Sequence, residues 1–482
     1  MSKKSITNMK YFPTIGLEVH AELHTKSKMF CGCKNEPHGS QANAHTCPVC
    51  LAHPGTLPVP NKEAIKMVLQ FGQAVGAQKA DFSEFDRKNY FYPDIPKAYQ
   101  ISQYAFPFLT GGELSGVELT RVHLEEDTAR SSHDQGEESL VDFNRAGVPL
   151  MELVTEPVLH DAKTAGDFAR ELQLLLRTMG ISEANMEKGE MRVEANISIS
   201  PNEGELGTKV EVKNINSFKA VEAAIEFEIK RHTELLDNGE VISQETRGWD
   251  ENKSQTFSQR SKETAKDYRY FPDPDIPKLK TSEIPEFGSA EIAENMPILP
   301  SSKRELYGKY KISDQMIETI IADRYIDSLF AQTLDLLVAA ANDDAVQLAA
   351  NYASVDVPAM RAAQPTDAAA DIHPQQFAEL ITLAHARTIG SRGAKDLLPQ
   401  LFGMDGSVED LATKQGLIQK SDPAALKAIV DQVISDNPDQ VAECVAGKET
   451  VFKYLVGQGM KLSKGSANPA VLEQLLRDEI TK

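Results

Sequence analysis

Two cysteine pairs, Cys31-Gly-Cys33 and Cys47-Pro-Val-Cys50, crowd four of the chain's five cysteines into one short window. The segment after the first pair, Lys34-Asn35-Glu36-Pro37-His38-Gly39, carries the Asn, Pro and Gly that let a chain reverse direction. Two tight turns that each present a pair of sulfurs can surround one zinc ion tetrahedrally. Two disulfides, or four separately buried thiols, are the competing readings of the same spacing. Clustered pairs in a chain that reads as intracellular favour the metal. Cys31, Cys33, Cys47 and Cys50 complete the shell without His38, His45 or His53. A closed site of this kind holds a loop in shape and leaves the chemistry to other residues.

At 482 residues the chain is too long for one core, so two or three domains are expected. Met1-Ser2-Lys3-Lys4-Ser5 is polar, and no apolar run reaches the ~20 residues of a membrane span. Cytoplasmic residence, with no membrane partner, is the expectation. The formal net charge of −20 means that any nucleic acid must dock on a local basic patch.

Composition shifts near residue 296. Before it, alternating stretches such as Arg192–Ile199 and Lys209–Lys213 read as strands, and apolar stripes over Glu63–Val75, Thr164–Met179 and Ser217–Asn238 read as helices. The fold class expected is α+β: residues 1–296 form a domain around an antiparallel sheet. Residues 297–406 form an all-helical domain, with helices at Asp327–Ala340 and Gln375–Ala386. Residues 407–482 form a small helical tail, with helices at Ala424–Ile434, Glu449–Met460 and Pro469–Glu479.

Several acids and imidazoles stand in strand-like or apolar surroundings. In Ile15-Gly16-Leu17-Glu18-Val19-His20 the period of two puts Glu18 and His20 on one face. His123-Leu124-Glu125-Glu126-Asp127 is a dense carboxylate cluster, and Glu152 lies inside the apolar run Pro149–Val154. A buried carboxylate answers to a cation, and hard oxygen ligands suit magnesium and phosphate chemistry. Salt-bridged surface acids are the alternative. Two further stretches, Arg87-Lys88-Asn89-Tyr90-Phe91-Tyr92-Pro93-Asp94 and Asp267-Tyr268-Arg269-Tyr270-Phe271-Pro272-Asp273-Pro274, interleave aromatics with cations. Such a pattern can stack on a base and clamp phosphates, or can be core aromatics beside loop charges. Neither a phosphate loop nor a dinucleotide-binding glycine fingerprint occurs. Cys444, in a helical stretch, reads as a small buried hydrophobe.

Together with Phe143-Asn144-Arg145-Ala146-Gly147-Val148-Pro149-Leu150, Glu211–Ser217, Leu455–Lys461 and Lys464–Pro469, these stretches occur in an order that resembles one family along the whole chain. That family is the GatB subunit of the glutamine-dependent aspartyl/glutamyl-tRNA amidotransferase. The resemblance implies a cradle domain, a helical domain and a tail. It implies an ATP- and magnesium-dependent phosphorylation of the side-chain carboxylate of Glu-tRNA(Gln) or Asp-tRNA(Asn), followed by amidation. Ammonia would come from a separate amidase (glutaminase) subunit, joined by a small third subunit in a heterotrimer. It also implies His20, Glu126 and Glu152 as magnesium ligands, with Glu18 and Glu125 close by as second-site or orienting catalytic acids, Glu125 and Glu126 being interchangeable in these roles. Lys88, Arg269 or both would face the phosphates, and Lys453, Lys461 and Lys464 would lie against the tRNA body.

Overall fold

The computed structural model of the chain describes residues 10–132, 138–261, 268–363, 371–419, 423–445, 448–463 and 467–481. The chain divides into two compact units, Met1–Leu299 and Pro300–Lys482.

The strands that frame the first unit are β1 (Phe12–Glu22), β2 (Asp86–Asn89), β3 (Tyr99–Ser102), β4 (Val117–Glu126) and β5 (Pro149–Thr155). They continue with β6 (Met191–Ser200), β7 (Val210–Ile215), β8 (Glu245–Asp250), β9 (Gln255–Ser261) and β10 (Phe271–Pro272). The helices are α1 (Lys62–Ala74), α2 (Ala162–Thr178) and α3 (Phe218–Asp237). The main sheet runs β9-β8-β7-β6-β1-β5-β4 and continues into the short strands Leu109–Thr110 and Gln78–Lys79. Pairing is antiparallel except between β7 and β8, which run parallel. The 11-residue β1 lies centrally, hydrogen-bonded to β5 on one side and β6 on the other.

Alternation decides what each face carries. Ile15, Leu17, Val19 and Ala21 of β1 point into the core with Met151 and Leu153 of β5, Val122 and Leu124 of β4, and Met191, Val193 and Ala195 of β6. The apolar stripes of α1, α2 and α3 belong to the same core, through Val68, Phe71, Phe168, Leu172, Val221 and Ile225. Burying each of the larger aliphatic side chains contributes about 1.5–3 kcal/mol, so a charge at Leu17 would forfeit that and strand a carboxylate in the core. The helices begin where their caps allow. Asn61, Asp161 and Ser217 sit in extended backbone, and their side chains accept the free N–H groups of the first turns of α1, α2 and α3. On the opposite face of the sheet, the intervening residues of β1, β4, β5 and β6 are largely ionic.

A smaller sheet, β10-β2-β3, brings together the two aromatic stretches that lie far apart in sequence. Phe271 pairs with Arg87, and Asn89 donates to the carbonyls of Tyr268 and Arg269.

The second unit is helical among its described residues. Its longer helices include Arg324–Ala339 and Pro374–His385, and then Pro423–Asp436, Glu449–Leu462 and Pro469–Ile480. The last three share one apolar cluster of Leu426, Val430, Val433, Phe452, Leu455, Leu472 and Leu476. Gly459 makes that packing possible: a Cβ there would meet Leu472 Cδ2 at 2.8 Å. Cys444 is half-buried at the edge of this cluster, less enclosed than its sequence context implies. No helix among the described residues is long and apolar enough to cross a membrane.

Candidate active site

The ionic face is a grid set by strand register, because residues directly opposite in an antiparallel pair project from the same side. One row across β6, β1, β5 and β4 reads Arg192, His20, Glu152, His123. The next reads Glu194, Glu18, Val154, Arg121, and on the other side Glu22, Leu150 and Glu125 are aligned. Four strands distant in sequence thus place their charges side by side.

His20 is the hub. Its Nε2 lies 3.4 Å from Glu152 Oε2, 3.6 Å from Glu125 Oε1 and 3.7 Å from Glu18 Oε1. Burial opposes charge on the imidazole, but Glu152, Glu125 and Glu18 outweigh it and hold its pKa up at about 9. Glu18 goes the other way: burial, then the neighbouring Glu152 and Glu194, push its carboxyl up to about 7. Burial also works against the Glu152 carboxylate, yet His123 and His20 hold it well below the usual carboxylate range. Glu18, His20 and Glu152 present ligand atoms all within 4.8 Å of one another, as do His123, Glu125 and Glu152, and also Glu18, Glu194 and Glu211. Nitrogen and carboxylate oxygens at this density are a donor set suited to a hard divalent cation.

Cations ring the acids. Lys213 Nζ is 2.7 Å from Glu194 Oε2. Arg192 makes a two-pronged pair with Asp127, at 2.9 and 3.1 Å. Lys88 reaches in from β2, its Nζ 5.1 Å from the Tyr268 ring centroid. Burial disfavours the Lys88 charge, but Glu125, Tyr270 and Glu152 raise its pKa well above the ordinary lysine value. A cavity of about 270 Å³ opens over this face, lined among others by Glu18, His20, Lys88, Glu125, Arg192 and Lys213. The small β10-β2-β3 sheet adds aromatics: Tyr104 stacks on Tyr270 with centroids 4.4 Å apart, and Phe91 is 82% exposed.

Of the expected site residues, Glu18, His20, Glu125 and Glu152 converge. Glu126 does not: it turns away from His20 and Glu152, and Glu125 stands in the place expected of it. Successive strand residues face opposite ways, so Glu126 shares the side of Val122 and Leu124. There it meets Lys97 Nζ at 2.6 Å and accepts the Ile101 N–H at 3.0 Å. Lys88 lines the cavity, whereas Arg269 is exposed and outside its lining. His123, Arg192, Glu194 and Lys213 also lie on this face, beyond the expected site residues. The alternation of Arg192-Val193-Glu194 carried the signal for two of them.

Lys453 and Lys461 are exposed on the helix Glu449–Leu462. Lys464 lies outside the described residues.

Cys31, Cys33, Cys47 and Cys50 are free thiols whose sulfurs all lie within 4.8 Å of one another, a group that could hold a metal ion. The Cys47 and Cys50 sulfurs are 3.9 Å apart, against about 3.8 Å for the edge of a tetrahedron with ~2.3 Å metal–sulfur bonds. Lys28 is only 1% exposed and directs Nζ at Cys50 Sγ, 3.8 Å away, and at the Phe143 carbonyl. A buried ammonium needs negative charge nearby, which thiolates supply and disulfides do not.

An α+β sheet thus presents a charged grid to a cavity, and a helical unit follows it in the chain. Residues 13–284 match the family model of the GatB/GatE catalytic domain, and residues 335–480 match that of the GatB domain. The chain is 41% identical to the GatB subunit of the aspartyl/glutamyl-tRNA(Asn/Gln) amidotransferase of Caldicellulosiruptor saccharolyticus, covering 98% of this chain and all of the relative. It is 39% identical to the protein of the same name from Picosynechococcus, over 98% of both chains. It is 42% identical to the corresponding subunit of a chloroplastic/mitochondrial glutamyl-tRNA(Gln) amidotransferase of Physcomitrium patens, over 97% of this chain and 85% of that one. The chain belongs to the GatB family of amidotransferase subunits.

Proposed function

We propose that the chain is the subunit of an ATP-dependent tRNA amidotransferase that activates and amidates Glu on tRNA(Gln), Asp on tRNA(Asn), or both. The observation that carries this reading is the convergence of Glu18, Glu125 and Glu152 on His20 Nε2 beneath an open cavity. A carboxylate is a poor acyl donor. Transfer of the γ-phosphoryl group of ATP to a side-chain oxygen releases ADP and leaves an acyl phosphate. Ammonia then adds to the carbonyl carbon, the carbon–oxygen bond to phosphate breaks, and amide, phosphate and a proton leave.

Glu18, His20, Glu125 and Glu152 would hold magnesium, which when bound neutralises phosphoryl oxygens and orients them. To hold the cation His20 would have to be unprotonated at the ligating nitrogen, so protons and metal would compete for this grid. Lys88, Arg192 and Lys213 keep positive charge around the phosphates. Lys88 is the better candidate for a phosphate contact than the exposed Arg269. Tyr90, which lines the cavity with Tyr268 beside it, offers stacking surface for a base. The cysteine knuckle is read as a structural zinc site.

Ammonia comes from a separate amidase (glutaminase) subunit, with a small third subunit completing a cytoplasmic heterotrimer. Residues 297–406 act as a helical domain, and residues 407–482 as a tail that offers Lys453, Lys461 and Lys464 to the tRNA phosphates.

The test is a reconstituted complex given each misacylated tRNA separately with ATP, magnesium and glutamine. His20→Ala and Glu18→Ala should bind tRNA and hydrolyse glutamine yet lose amidation. Undiminished amidation in both would reject the reading.

A further inference from the structure

We infer that His123 is a positioning residue that aims the Glu152 carboxylate at the metal. The inference rests on the metal reading of this site. The register that sets His20 opposite Glu152 on one side sets His123 opposite it on the other. Both imidazoles direct Nε2 at the same oxygen: His123 lies 3.3 Å and His20 3.4 Å from Glu152 Oε2. The other oxygen, Oε1, is 3.5 Å from Arg121 Nη2.

The two imidazoles differ in what else they meet. His20 also faces Glu18 and Glu125 and lines the cavity, whereas His123 is outside the cavity lining, 3% exposed, and its Nδ1 has no hydrogen-bond partner among the described residues. With His20 Nε2 committed to the cation, it has no proton for Glu152. His123 Nε2–H is the donor that remains. In that role it would donate to Oε2, 3.3 Å away, while Arg121 lies beside Oε1. Neighbours that hold ligating carboxylates and imidazoles in place typically change metal affinity 10- to 100-fold when removed.

His123 could instead be a ligand itself, since its nitrogen and the oxygens of Glu125 and Glu152 also lie within 4.8 Å of one another. The roles part chemically. A ligand must present a bare nitrogen and would couple that nitrogen directly to bound Mn²⁺ in the resonance spectrum, whereas a positioning residue must present N–H and would leave no such coupling for His123→Ala to remove.

The experiment titrates Mn²⁺ alone into the full chain within its complex and reads free ion by electron paramagnetic resonance. His123→Ala, and His123→Phe as a space-filling variant that lacks a donor, should bind Mn²⁺ about 10- to 100-fold more weakly. His123→Gln should stay within about threefold of the parent protein, because its amide can donate to Oε2. Parent-like affinity in His123→Ala or His123→Phe would overturn the inference, and so would a His123→Gln as weak as His123→Ala. Glu152→Gln separates the two layers. If it loses Mn²⁺ while His123→Ala does not, only the positioning role fails. If it binds like the parent, the metal reading fails and the role of His123 falls with it.

Discussion

The cysteine knuckle and the charged face of the sheet are both candidate metal sites, and they are built in opposite ways. The knuckle draws its ligands from residues 31–50, soft sulfurs that close on one another. The sheet site draws Glu18 and His20 from β1, Glu125 from β4 and Glu152 from β5, hard donors left open to a cavity. A local motif can fold around its ion and serve only shape. A site assembled by register inherits the rigidity of a whole sheet, which suits the positioning that phosphoryl transfer demands.

Variants in the two sites should therefore fail differently. Glu152→Gln should reduce amidation by the complex about 10³-fold or more, because a ligand and the partner of two imidazoles are lost together. Glutamine hydrolysis should change little. Cys31→Ser or Cys47→Ser should remove zinc, read by metal analysis, and lower the melting temperature by several degrees, on the order of a few kcal/mol. Residual amidation should remain within roughly tenfold, since a closed structural site supports shape alone. Equal loss of chemistry in both sites would break the contrast.

A sharper cut lies within one dipeptide. Glu125→Gln should weaken Mn²⁺ binding about tenfold or more, while Glu126→Gln should leave it nearly unchanged. The reverse ranking would restore the discarded ligand assignment.

A further contrast concerns an ionic cluster outside the cavity lining. Glu228 of α3 is fully buried, bonded to Arg231 and Thr256, and 3.1 Å from His232. Burial works to raise its pKa, but His232, Arg231 and Thr256 outweigh it and hold it at about 2, against an ordinary value of 4.5. A depressed acid contributes stability above its unfolded pKa and loses it as pH falls toward the folded one. Up to about 3 kcal/mol should thus disappear between about pH 4.5 and pH 2. Glu228→Gln should melt lower than the parent at pH 7 and show a flatter decline through that acid window.

Much of this was readable before any coordinates. The cysteine spacing announces the knuckle, and a period of two puts Glu18 and His20 on one face. The helices α1, α2 and α3 fall within two residues of their apolar stripes, because a period of 3.6 is a local signal. What alternation cannot supply is which strands lie side by side. His123 becomes meaningful only when β4 lies against β5 in a register that sets it opposite Glu152. Glu125 and Glu126 look equivalent in a list of acids, but the strand turns one toward His20 and the other toward Lys97. Lys213 reaches Glu194 only because β7 is the neighbour of β6.

The decisive measurement is a crystal of the complex soaked in Mn²⁺ and read at the manganese absorption edge. An anomalous peak bounded by Glu18, His20, Glu125 and Glu152 is the expected result. A peak beside Glu126, or none on this face of the sheet, would contradict the account.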